Sequence, residues 1–262
     1  MDKTFLLDRA ARSSEERMLL SRVLDKYEQS RRRNQPTHTP FLSPAERASA
    51  EDLLRAAAIH DGFAFSGGYE GAERTVLFFL PDWQEEAEVE SAMAFLRASF
   101  RPGERLSHRD MLGSIMGLSL TREVIGDILV GEESADIVVS AEVAPYLMEQ
   151  LTSAGHTALR LCTIEQSELR IPERRVKEIR DTVATLRLDA VAATGFAMSR
   201  TKAAELISSG AVQKNHRPVT KADAPVSQGD VISARGLGKF EVAEVGGLSK
   251  KGRTGILLRR YL

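Results

Sequence analysis

Ser199, Arg200 and Lys202 have the residue types and the spacing of a phosphate-binding site at the start of a helix. Serine is a favourable N-cap residue, and apolar residues at helical spacing follow it as far as Gly210. Two cations in the first turn oppose the helix dipole, so local stability alone would favour Asp or Glu there. Backbone N–H groups, a hydroxyl group and two cations can together bind a phosphate, and we interpret these residues as an anion site. The competing interpretation is a solvated helix end whose cations bind nothing.

A helix before this one and short strands after it extend the positive charge. Arg187 begins the predicted helix over residues 187–194, and Gly195 follows where a left-handed C-cap residue belongs. Beyond the second helix, short apolar runs flank the polar turn Asn215-His216, which predicts short strands. Further candidate phosphate contacts lie along these strands: Lys214, Arg217, Arg235 and Lys239.

A glycine-rich turn over residues 66–71 separates two predicted strands. Its three glycines imply positive φ angles or a close approach of backbone segments. Tyr69 could stack on a nucleobase and Arg74 could contact a phosphate, whereas the alternative is a rigid, internally bonded turn that supports a sheet. No Lys-Ser or Lys-Thr pair follows the turn, which argues against a nucleotide-binding P-loop.

The triplet His108-Arg109-Asp110, with Asp127 further on, resembles an acid/base or metal cluster at first sight. On a helix, however, side chains at i and i+2 point to different sides, so His108 and Asp110 cannot jointly bind one metal ion without help from other groups. We therefore predict no catalytic and no metal-binding residue here. Arg109 and Arg122 are better interpreted as phosphate contacts or as ion-pair partners of Asp110 and Asp127, with His108 as a further candidate contact.

The charge of the chain is unevenly distributed. Residues 180–262 contain 14 Lys and Arg against 7 Asp and Glu, whereas the rest contains 22 against 30, although the net charge is only −1. A basic C-terminal third predicts one polyanion-binding face.

No apolar run has the length of a membrane span and the N-terminus lacks a signal-peptide core, so we expect a cytoplasmic protein. Cys162 is the single cysteine, which excludes an intrachain disulfide.

The order of predicted elements indicates an α+β protein with three parts. Residues 1–60 are predicted to be a helical segment. Residues 61–165 have a β-α-β-β-α-β order counted from Thr75, which predicts a ferredoxin-like sandwich of the kind found in RNA-recognition motifs. A linker over 166–184 would precede a module over 185–262. The central strands over 128–130 and 137–139 contain no aromatic residue, so we do not expect a base-stacking platform of the usual type.

The C-terminal module resembles the S4 RNA-binding domain, which is built on the αL motif. The matching residues, in order, are Arg187-Leu188-Asp189, Ser199-Arg200, Ala203, Leu206-Ile207, Gly210, Val212, Asn215, Val219, Gly229-Asp230, Ile232 and Arg235-Gly236. The resemblance implies that the helix pair and the adjoining strand bind structured RNA through its backbone, with contacts at Arg187, Ser199, Arg200, Lys202 and Lys214. His216 departs from the family, which commonly has Gly after the Asn, so the turn is expected to be strained or of another type.

Two further stretches match a known family. With them, the chain resembles the YlmH family of bacterial RNA-binding proteins over about residues 15–262. The matching residues are the run from Gly67 to Arg74, then His108-Arg109-Asp110, Leu112-Gly113, Met116-Gly117-Leu118, Arg122 and the run from Gly126 to Val130. The resemblance implies a non-catalytic factor without a cofactor. It further implies binding to ribosomal RNA and tRNA on the large ribosomal subunit of stalled complexes, and rescue of blocked nascent chains.

Two other functions remain open from the sequence. S4 domains are often fused to pseudouridine synthases and RNA methyltransferases, and Arg187-Leu188-Asp189 imitates a synthase site, although it opens a helix of the module itself. The chain also lacks a Gly-x-Gly-x-x-Gly loop for S-adenosylmethionine. An adaptor role at the division septum, with the acidic surface as the docking face, is the third hypothesis.

Overall fold

The computed structural model describes residues 3–81, 92–173, 175–249 and 252–261. The chain forms two compact units, residues 1–172 and 173–262. Both contain helices and antiparallel sheets, in agreement with the predicted α+β class. No helix among these residues is long and apolar enough to span a membrane.

The first half of the N-terminal unit consists of three helices packed on a small sheet. Ser13 and Ser43 cap the second and third helices, and the basic end of the second helix complements its dipole. The sheet has the order β1-β3-β2, and its residues Leu42, Leu77 and Phe79 face the helices. The elements are α1 (Lys3–Ala10), α2 (Ser14–Arg33), β1 (Thr37–Leu42), α3 (Pro44–Ala56), β2 (Phe63–Ser66) and β3 (Thr75–Phe79). The segment predicted to be wholly helical therefore contains a strand.

The second half of this unit is a ferredoxin-like fold. Its antiparallel sheet has the order β5-β6-β4-β9, so the first strand lies between the third and the fourth. The helices α4 and α5 cover one face of this sheet and form a core around Met111, Ile137 and Leu147. The elements are β4 (Met93–Ser99), α4 (His108–Gly117), β5 (Ile125–Val130), β6 (Ser134–Ser140), α5 (Ala144–Gln150), β7 (Ser153–Ala154), β8 (Thr157–Ala158) and β9 (Arg160–Ile164).

The predicted start of the ferredoxin-like fold at residue 61 is wrong. Strand β3 does not belong to its sheet but lies between β1 and β2 in the preceding one. All five residues of β3 are buried, because one sheet face packs on the helices and the other on β4 and β6. An apolar strand pattern reports burial and does not identify the neighbouring strand, which explains the error.

The two sheets of the N-terminal unit pack face to face. Phe41, Val76 and Phe78 of the small sheet contact Phe95 and Val138 of the ferredoxin-like sheet. This is the face opposite α4 and α5, on which RNA-recognition motifs stack bases. The absence of a stacking platform was predicted from the lack of aromatic residues, but Phe95 does lie on this face and is buried beneath the other sheet.

The C-terminal unit is a six-stranded antiparallel sheet with two helices on one face. The strand order is β10-β15-β14-β13-β11-β12, and Phe240, Val242 and Ile256 are part of the core beneath the helices. The elements are β10 (Val176–Val183), α6 (Leu188–Gly195), α7 (Arg200–Ser208), β11 (Val212–Lys214), β12 (Arg217–Pro218), β13 (Val231–Ala234), β14 (Gly238–Leu248) and β15 (Thr254–Tyr261).

The predicted linker over residues 166–184 contains a strand, β10. It pairs with β15 along its whole length, from Val176 opposite Tyr261 to Val183 opposite Thr254. Most of its side chains are exposed, so its sequence lacks the apolar alternation of a half-buried strand. Pairing with a strand about eighty positions later cannot be read from local sequence.

Gly195 is required for packing and not for a left-handed helix cap. It is the last residue of α6 and has no positive φ angle, whereas Ala197 does, at 54°. A Cβ atom at position 195 would lie 2.3 Å from the ring of Phe240. Helix α6 can therefore approach the sheet this closely only with glycine here.

We expect Gly195→Ala to lower the free energy of unfolding by about 1–3 kcal/mol, because Phe240 must shift in a filled core. Urea denaturation monitored by circular dichroism would measure the change. Gly210→Ala is a useful comparison, since Gly210 has a φ of 75° but an added Cβ there would lie no closer than 4.0 Å to its nearest neighbour, a methyl group of Thr220. If Gly195→Ala were as stable as the parent protein, the close approach to Phe240 would not constrain the fold.

Candidate nucleic-acid interface

Ser199 caps α7 as predicted. Its backbone is extended, with φ −69° and ψ 150°, and its Oγ accepts a hydrogen bond from the backbone N–H of Lys202 at 3.2 Å. The first turn of α7 contains no acidic residue, and Lys202 is exposed. Lys202 therefore lies at the positive end of the helix dipole, and no acidic side chain in the first turn of α7 neutralises its charge.

Asp189 joins the two arginines of the candidate site. Arg187 donates to the two carboxylate oxygens from Nε and Nη2, at 3.2 and 3.1 Å. Arg200 donates from the same two atoms at 3.0 to 3.2 Å. The Asp189 side chain is buried, whereas those of Arg187 and Arg200 are 42% and 53% exposed. The structure thus brings Arg187 and Arg200 together and fixes both guanidinium groups at the surface.

The protonation of Asp189 reflects this arrangement. Burial acts to raise the pKa of the carboxyl group, but the hydrogen bonds from Arg187 and Arg200 and their positive charges hold the pKa below its ordinary value. In the sequence, Asp189 is part of the triplet that matches the S4 domain and imitates a synthase site, but its role as the partner of both arginines is not predicted. The Arg-x-Asp spacing at the start of α6 was the available signal, but the second arginine comes from α7 and is eleven positions away.

Lys214 belongs mainly to an internal network. Its Nζ donates to the carboxylate of Asp230 at 3.2 Å and to the carbonyl of Pro225 at 2.9 Å. Asp230 also accepts from the side chain of Asn215 and from the N–H of Ser227. Burial acts to raise the pKa of Asp230, but these donors hold it below its ordinary value. Lys214 therefore orders the turn region, and its geometry gives less support to a phosphate contact than that of Arg200 or Lys202.

The Asn215-His216 turn is strained at His216. Asn215 has a φ of 50° and His216 of 64°, and the turn joins the paired strands β11 and β12. Two consecutive positive φ values are those of a type I′ hairpin turn, which favours Gly at the second position. The expected strain is therefore present, and the turn type is not altered.

The other predicted contacts of this unit lie on its sheet or in the turn between two of its strands. Arg217 is half-buried on β12, and Arg235 is exposed in the turn between β13 and β14. Lys239 lies opposite Ser233 at the start of β14, with its Nζ 5.1 Å from the ring centre of Tyr261. These cations extend positive charge over the sheet.

Arg74 has a structural position, which favours the structural alternative for this residue over a phosphate contact. It is only 9% exposed, and its guanidinium group donates to the carbonyls of Phe41, Arg122 and Ile125 at 2.8 to 3.1 Å. Burial and the nearby charge of Arg122 lower the pKa of Arg74. The side chain thus connects β1 with the start of β5 and is almost fully covered by protein.

Asp127 holds the glycine-rich turn in place. It accepts from the Tyr69 hydroxyl at 2.7 Å and from the N–H groups of Glu73 and Arg74 at 2.7 and 3.1 Å. Gly67 and Gly68 pack so closely that an added Cβ would lie 2.4 Å from Ala72 or Phe95. The turn is therefore rigid and internally bonded, the alternative that the sequence left open.

The residues of the His108-Arg109-Asp110 triplet have separate surroundings. Asp110 completes the capping box of α4 with Ser107, whose hydrogen bonds lower the pKa of Asp110. Surrounding protein atoms and the charge of Arg122 lower the pKa of His108. Arg109 is exposed, and no group of three or more metal-ligating side chains occurs among the residues that the structure describes. These positions do not converge on one reacting centre.

Comparison with known proteins agrees with this division of the chain. Sequence models of three families match: "YlmH, N-terminal" over residues 15–82, "Putative RNA-binding domain in YlmH" over 101–168, and the S4 domain over 186–232. A curated relative is "Ribosome-associated protein quality control protein P2" of Bacillus subtilis (strain 168). It is 35% identical over 224 residues, which cover 85% of this chain and 86% of the relative.

A solved structure has a similar fold. "Cell division protein ylmH from Streptococcus pneumoniae" superposes with a TM-score of 0.51 at 21% identity, and the match covers 62% of this chain and 98% of that one. The extent of the sequence match, the two family-specific domains and the S4 domain with its paired arginines lead to one conclusion: the chain belongs to the YlmH family of S4-domain RNA-binding proteins.

Proposed function

We propose that this protein is a non-catalytic factor that binds ribosomal RNA and tRNA on the large ribosomal subunit of stalled complexes. The name of the curated relative supports an association with ribosomes and a role in protein quality control. Under this proposal the protein acts in the cytoplasm, on complexes that still carry peptidyl-tRNA, and contributes to their rescue without making or breaking a bond.

The observation that carries the proposal is the pair of surface guanidinium groups held by Asp189. Guanidinium groups bind phosphate oxygens through two parallel hydrogen bonds when their orientation is fixed. Arg187 and Arg200 each use Nε and Nη2 for Asp189, and about half of each side chain remains exposed. The carboxylate thus orders both groups before RNA arrives, which lowers the entropy cost of binding.

Lys202 and the start of α7 complete the proposed site. The helix dipole and the exposed ammonium group both favour an anion at this end of the helix. Such contacts recognise the RNA backbone and not its sequence, so specificity would come from the shape of a folded RNA. The basic surplus of residues 180–262 would add long-range attraction.

We expect Lys202→Glu to weaken binding to large ribosomal subunits by about tenfold at moderate salt, because it replaces attraction with repulsion at one phosphate contact. Co-sedimentation of purified protein with subunits over a series of salt concentrations would measure the affinity and its salt dependence. The side chain of Lys202 is exposed and has no hydrogen bond or ion pair with the described part of the chain, so the variant should retain its melting temperature.

Lys177→Glu is the matched control, since Lys177 is exposed on β10 and the charge change is the same. We expect this control to bind nearly as the parent protein does, with the small loss that its net charge alone produces. Equal losses for both variants would mean that only net charge matters, and unchanged binding of Lys202→Glu would refute the anion site.

A further inference from the structure

A cleft in the N-terminal unit has the features of a ligand site that the preceding proposal does not use. It has a volume of about 320 Å³ and lies beside the glycine-rich turn. Arg47, Phe65, Tyr69, Thr75 and Gln166 line it together with the turn. The volume is at the lower end of the range for small-ligand sites.

Two residues that line this cleft each have a buried side-chain oxygen without a hydrogen-bond partner in the described structure. Thr75 is only 2% exposed, and its Oγ1 bonds to nothing among the described residues. The same is true of Oε1 of Gln166, which is buried although the residue is half-exposed. Buried polar atoms are usually paired, because an unpaired one loses its hydrogen bonds to water without replacement. Both atoms therefore suggest that a ligand supplies the missing partners.

The side chains around these atoms suit a flat ligand. The guanidinium carbon of Arg47 lies 4.8 Å from the ring centre of Phe65, and Glu51 holds the Arg47 Nε at 2.9 Å. Aromatic rings and guanidinium planes are the surfaces on which proteins stack unpaired bases. Tyr69 lines the same cleft, and its hydroxyl is fixed by Asp127.

The wall formed by the turn is fixed before any ligand binds. An added Cβ at Gly67 would lie 2.4 Å from the carbonyl oxygen of Arg74, and Asp127 accepts one hydrogen bond from the turn and two from the residues just after it. A rigid wall supports recognition of shape, because little conformational entropy is lost on binding.

We propose that this cleft binds a single unstacked nucleobase whose Watson–Crick edge has an amino group next to an unprotonated ring nitrogen, as in adenine and cytosine. The amino group would donate to Gln166 Oε1, and the Thr75 hydroxyl would donate to the ring nitrogen. Uracil presents a carbonyl oxygen beside an N–H group, so its oxygen would face the Gln166 oxygen and be repelled. The base can belong to a free nucleotide or to an unpaired position of an RNA. The inference concerns a different unit from the S4 domain and does not rest on the ribosome-binding proposal.

Titration of the full-length, ¹⁵N-labelled protein separates the two sources. AMP, CMP and UMP test free nucleotides, and six-residue oligomers of A, C and U test an RNA chain, with the amide signals of residues 67–72 as the readout. We expect shifts with A and C and not with U. Shifts with both monophosphates and oligomers assign free nucleotides as ligands, and shifts with the oligomers alone assign an RNA position. No shift with any A or C probe, or equal shifts with U, overturns the proposal.

Thr75→Val tests the role of the unpaired hydroxyl while nearly conserving volume. Because Oγ1 has no partner to lose, we expect an unchanged or higher melting temperature and about tenfold weaker binding of the A or C probe. Gln166→Leu should weaken binding in the same way.

Thr39→Val is the matched control, because Thr39 is equally buried but its hydroxyl is paired, accepting from Leu77 N at 3.0 Å and donating to Pro40 O at 2.8 Å. This control should be less stable and bind normally. A less stable Thr75→Val protein with normal binding would assign Thr75 a purely structural role and overturn the inference.

Discussion

Replacing Asp189 with Asn is expected to destabilise the C-terminal unit by about 2–4 kcal/mol. The carboxylate accepts hydrogen bonds from both Arg187 and Arg200 in a buried position. An amide of the same shape has one acceptor oxygen, and its NH₂ group would face a guanidinium donor. Both arginines are partly exposed, so water can solvate them after the change, and the expected cost remains below that of a fully buried pair. Urea denaturation of the parent protein and the variant would measure it.

The same variant separates positioning from charge in RNA binding. If the carboxylate acts by fixing the two guanidinium groups, Asp189→Asn should weaken binding to large ribosomal subunits about tenfold, although it removes a negative charge. The matched control is Asp223→Asn, which removes an exposed charge that also acts on Arg187. This control should bind slightly more tightly. Tighter binding of Asp189→Asn as well would mean that charge outweighs position at this site.

The pH dependence of stability provides an independent check on Asp189. Its pKa in the folded protein lies below the ordinary value, so the carboxylate contributes stability that is fully present above the unfolded pKa of about 3.9 and is lost as the pH falls through the folded pKa. The stability difference between the parent protein and Asp189→Asn should therefore be constant above about pH 5 and narrow below pH 4. A difference that is independent of pH in this range would contradict the ionised pair.

Replacing Arg97 with Met is expected to destabilise the N-terminal unit by about 3–5 kcal/mol. Arg97 lies on β4 and donates to both carboxylate oxygens of Asp136 on β6, at 2.7 and 2.8 Å. The Asp136 side chain is 1% exposed, and without Arg97 its remaining donor in the described structure is the N–H of Arg170 at 2.7 Å. The variant thus leaves a buried negative charge with inadequate compensation. Thermal and urea denaturation would measure the loss.

A double variant distinguishes a lost ion pair from lost packing. Arg97→Met combined with Asp136→Leu removes both charges, so most of the stability lost in the single variant should return. Arg160→Met is the control, because Arg160 is exposed on the neighbouring strand β9, and it should cost less than about 0.5 kcal/mol. A double variant as unstable as the single one would show that packing of the Arg97 side chain, and not the buried charge, determines the cost.

The packing of the N-terminal unit limits how its ferredoxin-like half can bind RNA. The sheet face that stacks bases in RNA-recognition motifs is occupied by Phe41, Val76 and Phe78 from the preceding sheet. A contact of this half with RNA must therefore use another surface. The cleft beside the glycine-rich turn is such a surface, and it is formed by both halves of the unit, since Arg47 and Thr75 come from the first and Gln166 from the second.

The sequence by itself determined the features that depend on local chemistry. The α+β class, the capped start of α7 at Ser199, the hairpin turn at Asn215 and the S4 and YlmH resemblances follow from residue types at short spacing, and the structure or the family comparisons agree with them. Hydrogen bonds within a few residues and helical periodicity are encoded where they occur, so a linear reading can detect them.

Tertiary structure decided which side chains meet. Arg74 is buried because three carbonyls from distant segments surround it, and β10 is a strand because β15 returns to it from the end of the chain. Gly195 is needed because Phe240 lies beneath it, and Asp189 matters because Arg200 arrives from another helix. Each of these depends on contacts between residues far apart in sequence, and local composition and periodicity do not contain that information.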